Sequence, residues 1–194
     1  NMGVLNMLNV KYVVQTDEEG KVNPALNPDA NGNAWFVKNV ISVNSADQEI
    51  SALDSIDTKK VAVVNTSLFA EIDQLNFQVD STASIDLTKY EPNDLTYRSI
   101  NTKAGIAVFS EMYYPKGWNA YIDGKITPYF RANYALRALK VPAGEHLIEF
   151  KFQPTVVAQG GKIALTSSAI LAVVVLGGLF FSFWRSRKND KIKS

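Results

Sequence analysis

The stretch GIAVFSEMYYPKGWNAYIDGKITPYFRANYALRALKVPAGEHLIEFKFQP, residues 105–154, decides the fold of this chain. Turn sequences interrupt its β-rich runs at Pro115-Lys116-Gly117, Asp123-Gly124 and Pro142-Ala143-Gly144. The Asp-Gly dipeptide suits the positive-φ positions of a tight hairpin turn. In the last run, residues 146–152, apolar and polar residues alternate, as they do in a strand with one buried face. The stretch therefore predicts consecutive antiparallel strands.

Similar runs lie upstream and extend the sheet pattern. Strands are predicted at residues 10–14, 34–43, 60–65, 83–87 and 95–100. The Asn- and Pro-rich segment 23–33 predicts a turn region, and Ser45 followed by Gln48 fits a capping box that opens a short helix near residues 46–54. Several short strands with few helices between them are typical of an antiparallel β-sandwich or jelly roll. A parallel α/β fold would need repeated crossover helices, which the pattern lacks.

Downstream of the strands, residues 163–184 (IALTSSAILAVVVLGGLFFSFW) contain no charged residue. A helix of 22 residues is about 33 Å long, enough to cross a hydrocarbon core of roughly 30 Å. The alternative is a buried helix of a soluble protein, but the basic cluster that follows the segment disfavours it. The predicted organisation is a β-sandwich at residues 1–160, a transmembrane helix at 161–184 and a basic tail at 185–194.

The charge of the tail sets the expected orientation. Residues 185–194 carry five basic residues and one acidic residue, whereas the rest of the chain is slightly acidic. Because positive charge is retained on the cytoplasmic side, the tail is expected inside and the sandwich outside the membrane. No signal sequence is recognisable near Asn1, so we expect the chain to be the C-terminal piece of a longer, polytopic membrane protein.

The composition excludes several classes of function. The absence of cysteine excludes disulfides, thiolate zinc sites, iron–sulfur clusters and a cysteine nucleophile, and the only histidine, His146, excludes multi-histidine metal sites. His146 follows a turn and is expected to make a strand-end hydrogen bond. A net charge of +1 argues against nucleic-acid binding. Residues 27–32 resemble the start of a calcium loop, but Lys38 occupies the position of the required glutamate, so Asx turns are predicted there. Neither a metal nor a cofactor is predicted.

Candidate ligand-binding residues cluster in the same decisive stretch. They are Trp118, Tyr121, Arg131, Asn133 and Arg137. Aromatic rings stack on sugar rings, and two arginines on one strand face can hold a phosphate or carboxylate. The alternatives are that the aromatic residues fill the core and that the arginines pair with carboxylates on neighbouring strands, namely those of Glu111, Asp123 or Glu149. A further hypothesis is that the carboxylates of Glu111 and Asp123 form a pair for glycoside chemistry.

Several motifs resemble the C-terminal region of the YfhO family of bacterial membrane proteins. They are residues 8–13 (LNVKYV), 32–37 (GNAWFV), 113–125 (YYPKGWNAYIDGK), 131–139 (RANYALRAL) and 141–146 (VPAGEH). The resemblance covers most of the chain and ends at the final span. It implies a large polytopic protein, similar to glycosyltransferases that use lipid-phosphate-linked sugars in the cell envelope. In such proteins the catalytic acidic residues lie in the N-terminal membrane region, so no catalytic residue is expected in this chain.

Two functions follow as hypotheses. In the first, the chain is an accessory domain of a YfhO-like glycosyltransferase in the bacterial inner membrane, where it helps to position the acceptor or the lipid-linked donor. Its expected partners are the lipid bilayer, the upstream transmembrane region and an envelope glycan or lipid-linked sugar. In the second, it is a membrane-anchored, non-catalytic glycan-binding or adhesion module.

Overall fold

The computed structural model describes residues 1–16, 20–69 and 80–193. The chain divides into two compact units, Asn1–Gln153 and Pro154–Ser194. The described part of the first unit contains two short helices, α1 (Met2–Met7) and α2 (Ala46–Ala52). Its described strands are β1 (Tyr12–Thr16), β2 (Val22–Leu26), β3 (Ala34–Val37), β4 (Asn39–Val43), β5 (Val61–Asn65), β6 (Ser84–Glu91), β7 (Asp94–Asn101), β8 (Gly105–Met112), β9 (Trp118–Ile122), β10 (Lys125–Thr127), β11 (Phe130–Ala132), β12 (Leu136–Val141) and β13 (Gly144–Phe152).

Two antiparallel sheets form the sandwich that the sequence predicts. The outer sheet has the strand order β10-β9-β13-β7-β6, and the central sheet has the order β11-β12-β8-β3. Between them lies a cluster in which the rings of Tyr97 and Phe150 each stand edge-on to that of Phe109, with ring centroids 4.9 Å apart in both pairs. Each fully buried apolar side chain of this kind stabilises the fold by about 1.5–3 kcal/mol.

The central sheet is buried on both faces. In β8, Ala107 and Phe109 face the cluster between the sheets, while Ile106 and Val108 join a second cluster on the opposite face. This explains the continuous apolar run of β8, because a strand covered on both faces has no polar face. The second cluster is completed by residues of α1, β4, α2 and β5.

β4 and β5 form a parallel pair, which the sequence pattern did not predict. Residues 34–43, predicted as one strand, are two strands: β3 pairs with β8, whereas β4 pairs with β5. The break lies at Lys38, where the N–H groups of Lys38 and Asn39 both donate to the carbonyl of Lys60. α2 connects the parallel strands, so the predicted short helix is a crossover helix. Its N-terminus is as predicted, because Ser45 accepts a hydrogen bond from the N–H of Gln48.

Local signals placed most strand ends correctly but missed three elements. Asp123 and Gly124 both have positive φ, 51° and 76°, and join β9 to β10 in the predicted hairpin. The missed elements are α1, β2 and β11, all short, and β2 overlaps the segment 23–33 that was predicted as turns.

The second unit contains the long helix α3 (Thr155–Lys193). Its residues Thr155–Phe181 are long and apolar enough to cross a membrane, as predicted, by length and composition. Within it the hydroxyl of Thr166 donates to the carbonyl of Lys162, one turn earlier, so this polar group is satisfied inside the helix. Beyond Phe181 only the helical backbone is described, and the side chains of the predicted basic tail lie outside the described residues.

Candidate functional site

The five predicted ligand-binding residues lie in three separate places rather than in one site. Trp118 and Arg137 stack on each other at one end of the space between the two sheets. Tyr121 is three residues after Trp118 in β9, and because side chains alternate along a strand it lies on the opposite face of the outer sheet. Arg131 and Asn133 contact α2 and β5, on the far side of the central sheet.

Arg137 is a buried cation held between aromatic rings. Its side chain comes from β12, the residue is only 3% exposed, and its guanidinium carbon lies 4.2 Å from the ring centroid of Trp118 and 5.2 Å from that of Phe150. Its Nε donates to the carbonyl of Met112 at 2.9 Å. One face of the half-buried Trp118 is therefore covered by the guanidinium, which leaves less of the ring free to stack on a sugar.

The surroundings of Arg137 contain further polar groups shielded from water. Burial raises the pKa of the Glu111 carboxyl, and the nearby guanidinium opposes that rise. Burial also raises the pKa of the Tyr129 phenol, whose hydroxyl donates to the backbone carbonyl of Trp118 at 3.3 Å. Burial in turn lowers the pKa of Arg137, an effect that Glu111 reduces. Glu111 is thus an electrostatic neighbour of Arg137, but among the described contacts no salt bridge joins them, and Nη1 of Arg137 is buried without a hydrogen-bond partner.

Tyr121 lies among polar side chains on the open face of the outer sheet. Its hydroxyl donates to Oε1 of Gln153 at 2.8 Å, and the same oxygen accepts a hydrogen bond from Asn119 at 3.1 Å. The ammonium of Lys151 lies 5.5 Å from the centroid of the Tyr121 ring. This face presents an aromatic ring, amides and the ammonium of Lys151, which pairs with Glu149 at 2.7 Å, and the ring and amides are groups able to contact a glycan.

Arg131 forms a buried ion pair with Glu49 of α2. Nη2 of Arg131 donates to Oε2 of Glu49 at 2.8 Å, and the backbone N–H of Tyr134 donates to Oε1 at 2.8 Å. Glu49 is 0% exposed and is the buried residue of α2, whereas Ile50 beside it is half exposed. Arg131 is therefore paired with a carboxylate, as one alternative predicted. The partner is Glu49, however, and not Glu111, Asp123 or Glu149.

Asn133 adds a second contact, because it forms two hydrogen bonds with Val63 of β5. Its backbone N–H donates to the carbonyl of Val63, and its side-chain Oδ1 accepts from the N–H of Val63, both at 2.8 Å. Its φ of 51° is one that asparagine tolerates better than most residues. We call Glu49, Arg131, Asn133 and Tyr134 the clamp, because they tie the α2–β5 segment to the β11–β12 turn.

The clamp explains much of the motif RANYALR at residues 131–137. Three of its residues make the clamp contacts, and Arg137 makes the stack with Trp118. Sequence analysis missed Glu49, which lies 82 residues from Arg131. No local signal identifies it, since an acidic residue near a helix N-terminus is ordinarily exposed.

His146 makes the strand-end hydrogen bonds that were predicted. Its Nδ1 lies 2.7 Å from Oδ2 of Asp123, and its Nε2 lies 3.2 Å from the carbonyl of Ala143. Hydrogen bonding to Asp123 raises the pKa of His146, and the same bond lowers the pKa of Asp123. The pair links the β9–β10 hairpin to the turn before β13, and no catalytic nucleophile is implied.

A polar cleft of about 400 Å³ lies between α1 and the loops at residues 28–31 and 56–59. Its walls include Asn6, Asp29 and Asn31, and Asn31 donates to the hydroxyl of Thr58. The predicted Asx turn is present here, with the N–H of Asp29 donating to Oδ1 of Asn27. Among the described residues no group of three or more acidic or histidine side chains is placed to hold a metal ion.

Comparison with known proteins gives a family match. The model of the family described as bacterial membrane protein YfhO matches residues 37–164, about two thirds of the chain. No curated protein and no solved structure matches the chain. The matched range begins at the end of β3 and continues into α3, so it includes most of the sandwich and the start of the apolar helix.

Proposed function

The chain belongs to the YfhO family of bacterial membrane proteins, and from this we propose that it is the C-terminal accessory region of a polytopic membrane glycosyltransferase. The observation that carries the proposal is the family match itself, which continues from the sandwich into the membrane-capable helix. The match ends at residue 164, so it covers most of the sandwich and the first ten residues of α3, which we propose are an extracytoplasmic domain and the start of a last span. The sugar donor would be a lipid-phosphate-linked sugar, and catalysis would reside outside this chain.

In this proposal residues 1–160 lie outside the inner membrane, residues 161–184 cross it and residues 185–194 lie in the cytoplasm. The sandwich helps to position the acceptor glycan or the lipid-linked donor. The open face around Tyr121 supports such a role, because it combines a ring with amide and ammonium groups. Trp118 and Arg137 stack on each other. They would therefore contribute only through the face and edge of the Trp118 ring that the guanidinium leaves uncovered.

The positioning role is tested in the complete glycosyltransferase with a membrane assay of sugar transfer. Tyr121→Ala should raise the KM for the acceptor or donor several-fold with little change in protein level. Tyr12→Ala is the matched control, since it makes the same substitution at a tyrosine that is 63% exposed in the separate β1–β2 sheet. Equal KM values for both variants would contradict positioning by this face.

The gene upstream of Asn1 separates the proposal from an anchored adhesion or glycan-binding module. About ten hydrophobic spans with an acidic residue in an outer loop favour the transferase. A signal peptide directly before Asn1 favours the anchored module.

Orientation has its own test, because the chain contains no cysteine. A single cysteine at exposed Lys103 should react in intact spheroplasts with a maleimide that cannot cross membranes, and one at Ser194 should react only after lysis. The reverse pattern would overturn the orientation.

A further inference from the structure

The polar cleft beside α1 has three walls, α1 itself and two loops, and hydrogen bonds tie these walls together. The backbone N–H of Asn31 donates to the carbonyl of Asn6 at 2.9 Å, and the Asn31 side-chain amide donates to the hydroxyl of Thr58 at 3.2 Å. The Thr58 hydroxyl donates in turn to the carbonyl of Gly3 at 3.1 Å. Each pair of walls is thus joined by a hydrogen bond, so the cleft is formed before any ligand enters it.

The floor of the cleft is buried and rests on the core. Asn31 is 7% exposed and Thr58 is 2% exposed. The Thr58 carbonyl accepts a hydrogen bond of 2.9 Å from the indole N–H of Trp35, a residue of the second core cluster. The cleft volume of about 400 Å³ lies within the range of roughly 300–1,000 Å³ that small-molecule sites occupy. The cleft is therefore fixed at its base and large enough for a small ligand.

Three polar groups that line the cleft retain hydrogen-bonding capacity among the described contacts. The side-chain oxygen of Asn6 accepts from Asn27 at 2.9 Å, which leaves the NH₂ group of Asn6 as a donor. The Asp29 carboxylate and the Lys59 ammonium have no described hydrogen bond or ion pair, since each residue makes its hydrogen bond through its backbone N–H. The cleft therefore offers a ligand both an acceptor and donors.

The charges around the cleft disfavour an anion and a metal ion. Asp57 also lines the cleft, and its Oδ2 lies 2.6 Å from the ammonium of Lys60. A phosphate would face this carboxylate and that of Asp29, and like charges repel. Among the described residues no group of three or more acidic or histidine side chains could hold a metal ion. The carboxylate of Asp29 and the ammonium of Lys59 balance in charge, which favours a neutral ligand with several hydroxyl groups.

We propose that the cleft binds one neutral sugar residue of a glycan, with Asp29 accepting hydrogen bonds from its hydroxyl groups and with Asn6 and Lys59 donating to them. Pro28 and Ile56 also line the cleft and provide apolar surface for the C–H groups of the sugar ring. A sugar presents hydroxyl groups that both donate and accept, together with an apolar ring face. These are the properties that the side chains of the cleft complement.

The cleft lies apart from the open face around Tyr121. α1 contributes Met7 and Val4 to the second core cluster, which covers the face of the central sheet turned away from the outer sheet. α1 and the Tyr121 side chain are therefore on opposite sides of the sandwich. A sugar in the cleft would make a contact distinct from one at the open face, so the inference goes beyond the role of that face and requires no sugar transfer.

The test is saturation-transfer difference NMR on the full chain in a detergent without a sugar headgroup. The probes are the methyl glycosides of glucose, galactose and N-acetylglucosamine, and free alanine serves as a zwitterionic comparison. At least one glycoside should bind, and Asp29→Ala should weaken its binding roughly tenfold, because a charged acceptor is lost. Lys59→Ala should weaken binding several-fold. Both side chains are exposed, so thermal unfolding of either variant should match that of the wild type.

Asp86→Ala is the matched control, since Asp86 is an exposed aspartate of β6 in the outer sheet, and its affinity should equal that of the wild type. The proposal is overturned if no glycoside binds, if alanine alone binds, or if Asp29→Ala binds as tightly as Asp86→Ala. Binding that is lost in Tyr121→Ala but kept in Asp29→Ala would also overturn the cleft site, while leaving the role of the open face intact. Loss of the transferase role would leave all of these affinities unchanged.

Discussion

Replacing Glu49 with glutamine should destabilise the sandwich far more than a surface charge change, because this carboxylate is the centre of the clamp. Glu49 is 0% exposed and accepts two hydrogen bonds of 2.8 Å, from Arg131 and from the N–H of Tyr134. Glutamine has one acceptor oxygen and one NH₂ donor at the same place. Whichever way the amide turns, one donor meets another donor, and the guanidinium of Arg131 loses its counter-charge.

The magnitude follows from the burial of the two partners. Removing one partner of a fully buried ion pair costs about 3–5 kcal/mol, since the other charge remains buried without compensation. The Arg131 side chain retains 23% exposure, so water stabilises part of its charge. We therefore expect Glu49→Gln to lower the free energy of unfolding by about 2–3 kcal/mol. Adding Arg131→Met should recover about 1 kcal/mol or more, because no unpaired charge then remains.

The assay is urea unfolding of the full chain in non-ionic detergent micelles, followed by tryptophan fluorescence. Trp35 is a suitable reporter because its indole N–H donates to the carbonyl of Thr58, just before β5. Glu145→Gln is the matched control, since it breaks an exposed pair with Arg98 in which both side chains are 57% exposed. That control should cost less than about 0.5 kcal/mol. If Glu49→Gln costs no more than Glu145→Gln, the clamp contributes nothing to stability and the reasoning fails.

Three further predictions concern neighbouring parts of the sandwich. Asn133→Ala should lower the free energy of unfolding by about 2–3 kcal/mol, by removing the acceptor of the Val63 N–H and straining a positive φ; Asn133→Gly keeps the φ and should cost less, and equal costs would contradict the backbone part of this account. Arg137→Lys should raise the rate of thermal unfolding and cost about 1–3 kcal/mol in urea, because a lysine ammonium loses both the planar stack on Trp118 and the bond to the Met112 carbonyl; an unchanged urea midpoint would show that the stack is not stabilising. His146 has a raised pKa in the folded protein, so its pairing with Asp123 should stabilise the fold fully below pH 6.5 and lose effect as pH rises through the folded pKa. The pKa of Asp123 is lowered in the folded protein. The stabilisation from its charge is therefore present above pH 3.8 and disappears as pH falls through its folded pKa. Wild type should exceed His146→Gln in stability by about 0.5 kcal/mol near pH 5.5 and by less near pH 9, and a pH-independent difference would refute the charge contribution.

Several strands and turns were predictable because their signals lie within a few residues. The alternation of residues 146–152 fixed the buried face of β13, and Asp123-Gly124 fixed the hairpin by its φ preference. The capping residue Ser45 fixed the start of α2 in the same way. Residues 34–43 were misread as one strand because both halves are β-rich. What separates them is the pair of hydrogen bonds to the Lys60 carbonyl, a partner about twenty residues away in sequence.

The candidate site was less predictable than the fold. Regular alternation placed Arg131, Asn133 and Arg137 on one strand face, but a turn with positive φ at Asn133 and Tyr134 separates β11 from β12. As a result Arg131 reaches Glu49 and Arg137 reaches Trp118, and the two guanidinium groups have different partners. The hypothesis that the two arginines together hold one phosphate or carboxylate therefore receives no support from their contacts.

The sequence by itself determined the β-rich body, the positions of most strands and the membrane-capable helix, because alternation, turn chemistry and an uncharged stretch are local properties. Only the tertiary structure decided that the central sheet is buried on both faces, that a parallel pair lies beneath it and that Glu49 meets Arg131. Those outcomes depend on contacts between residues far apart in sequence, and the energy of such a contact is set by burial and geometry that exist only after the chain has folded.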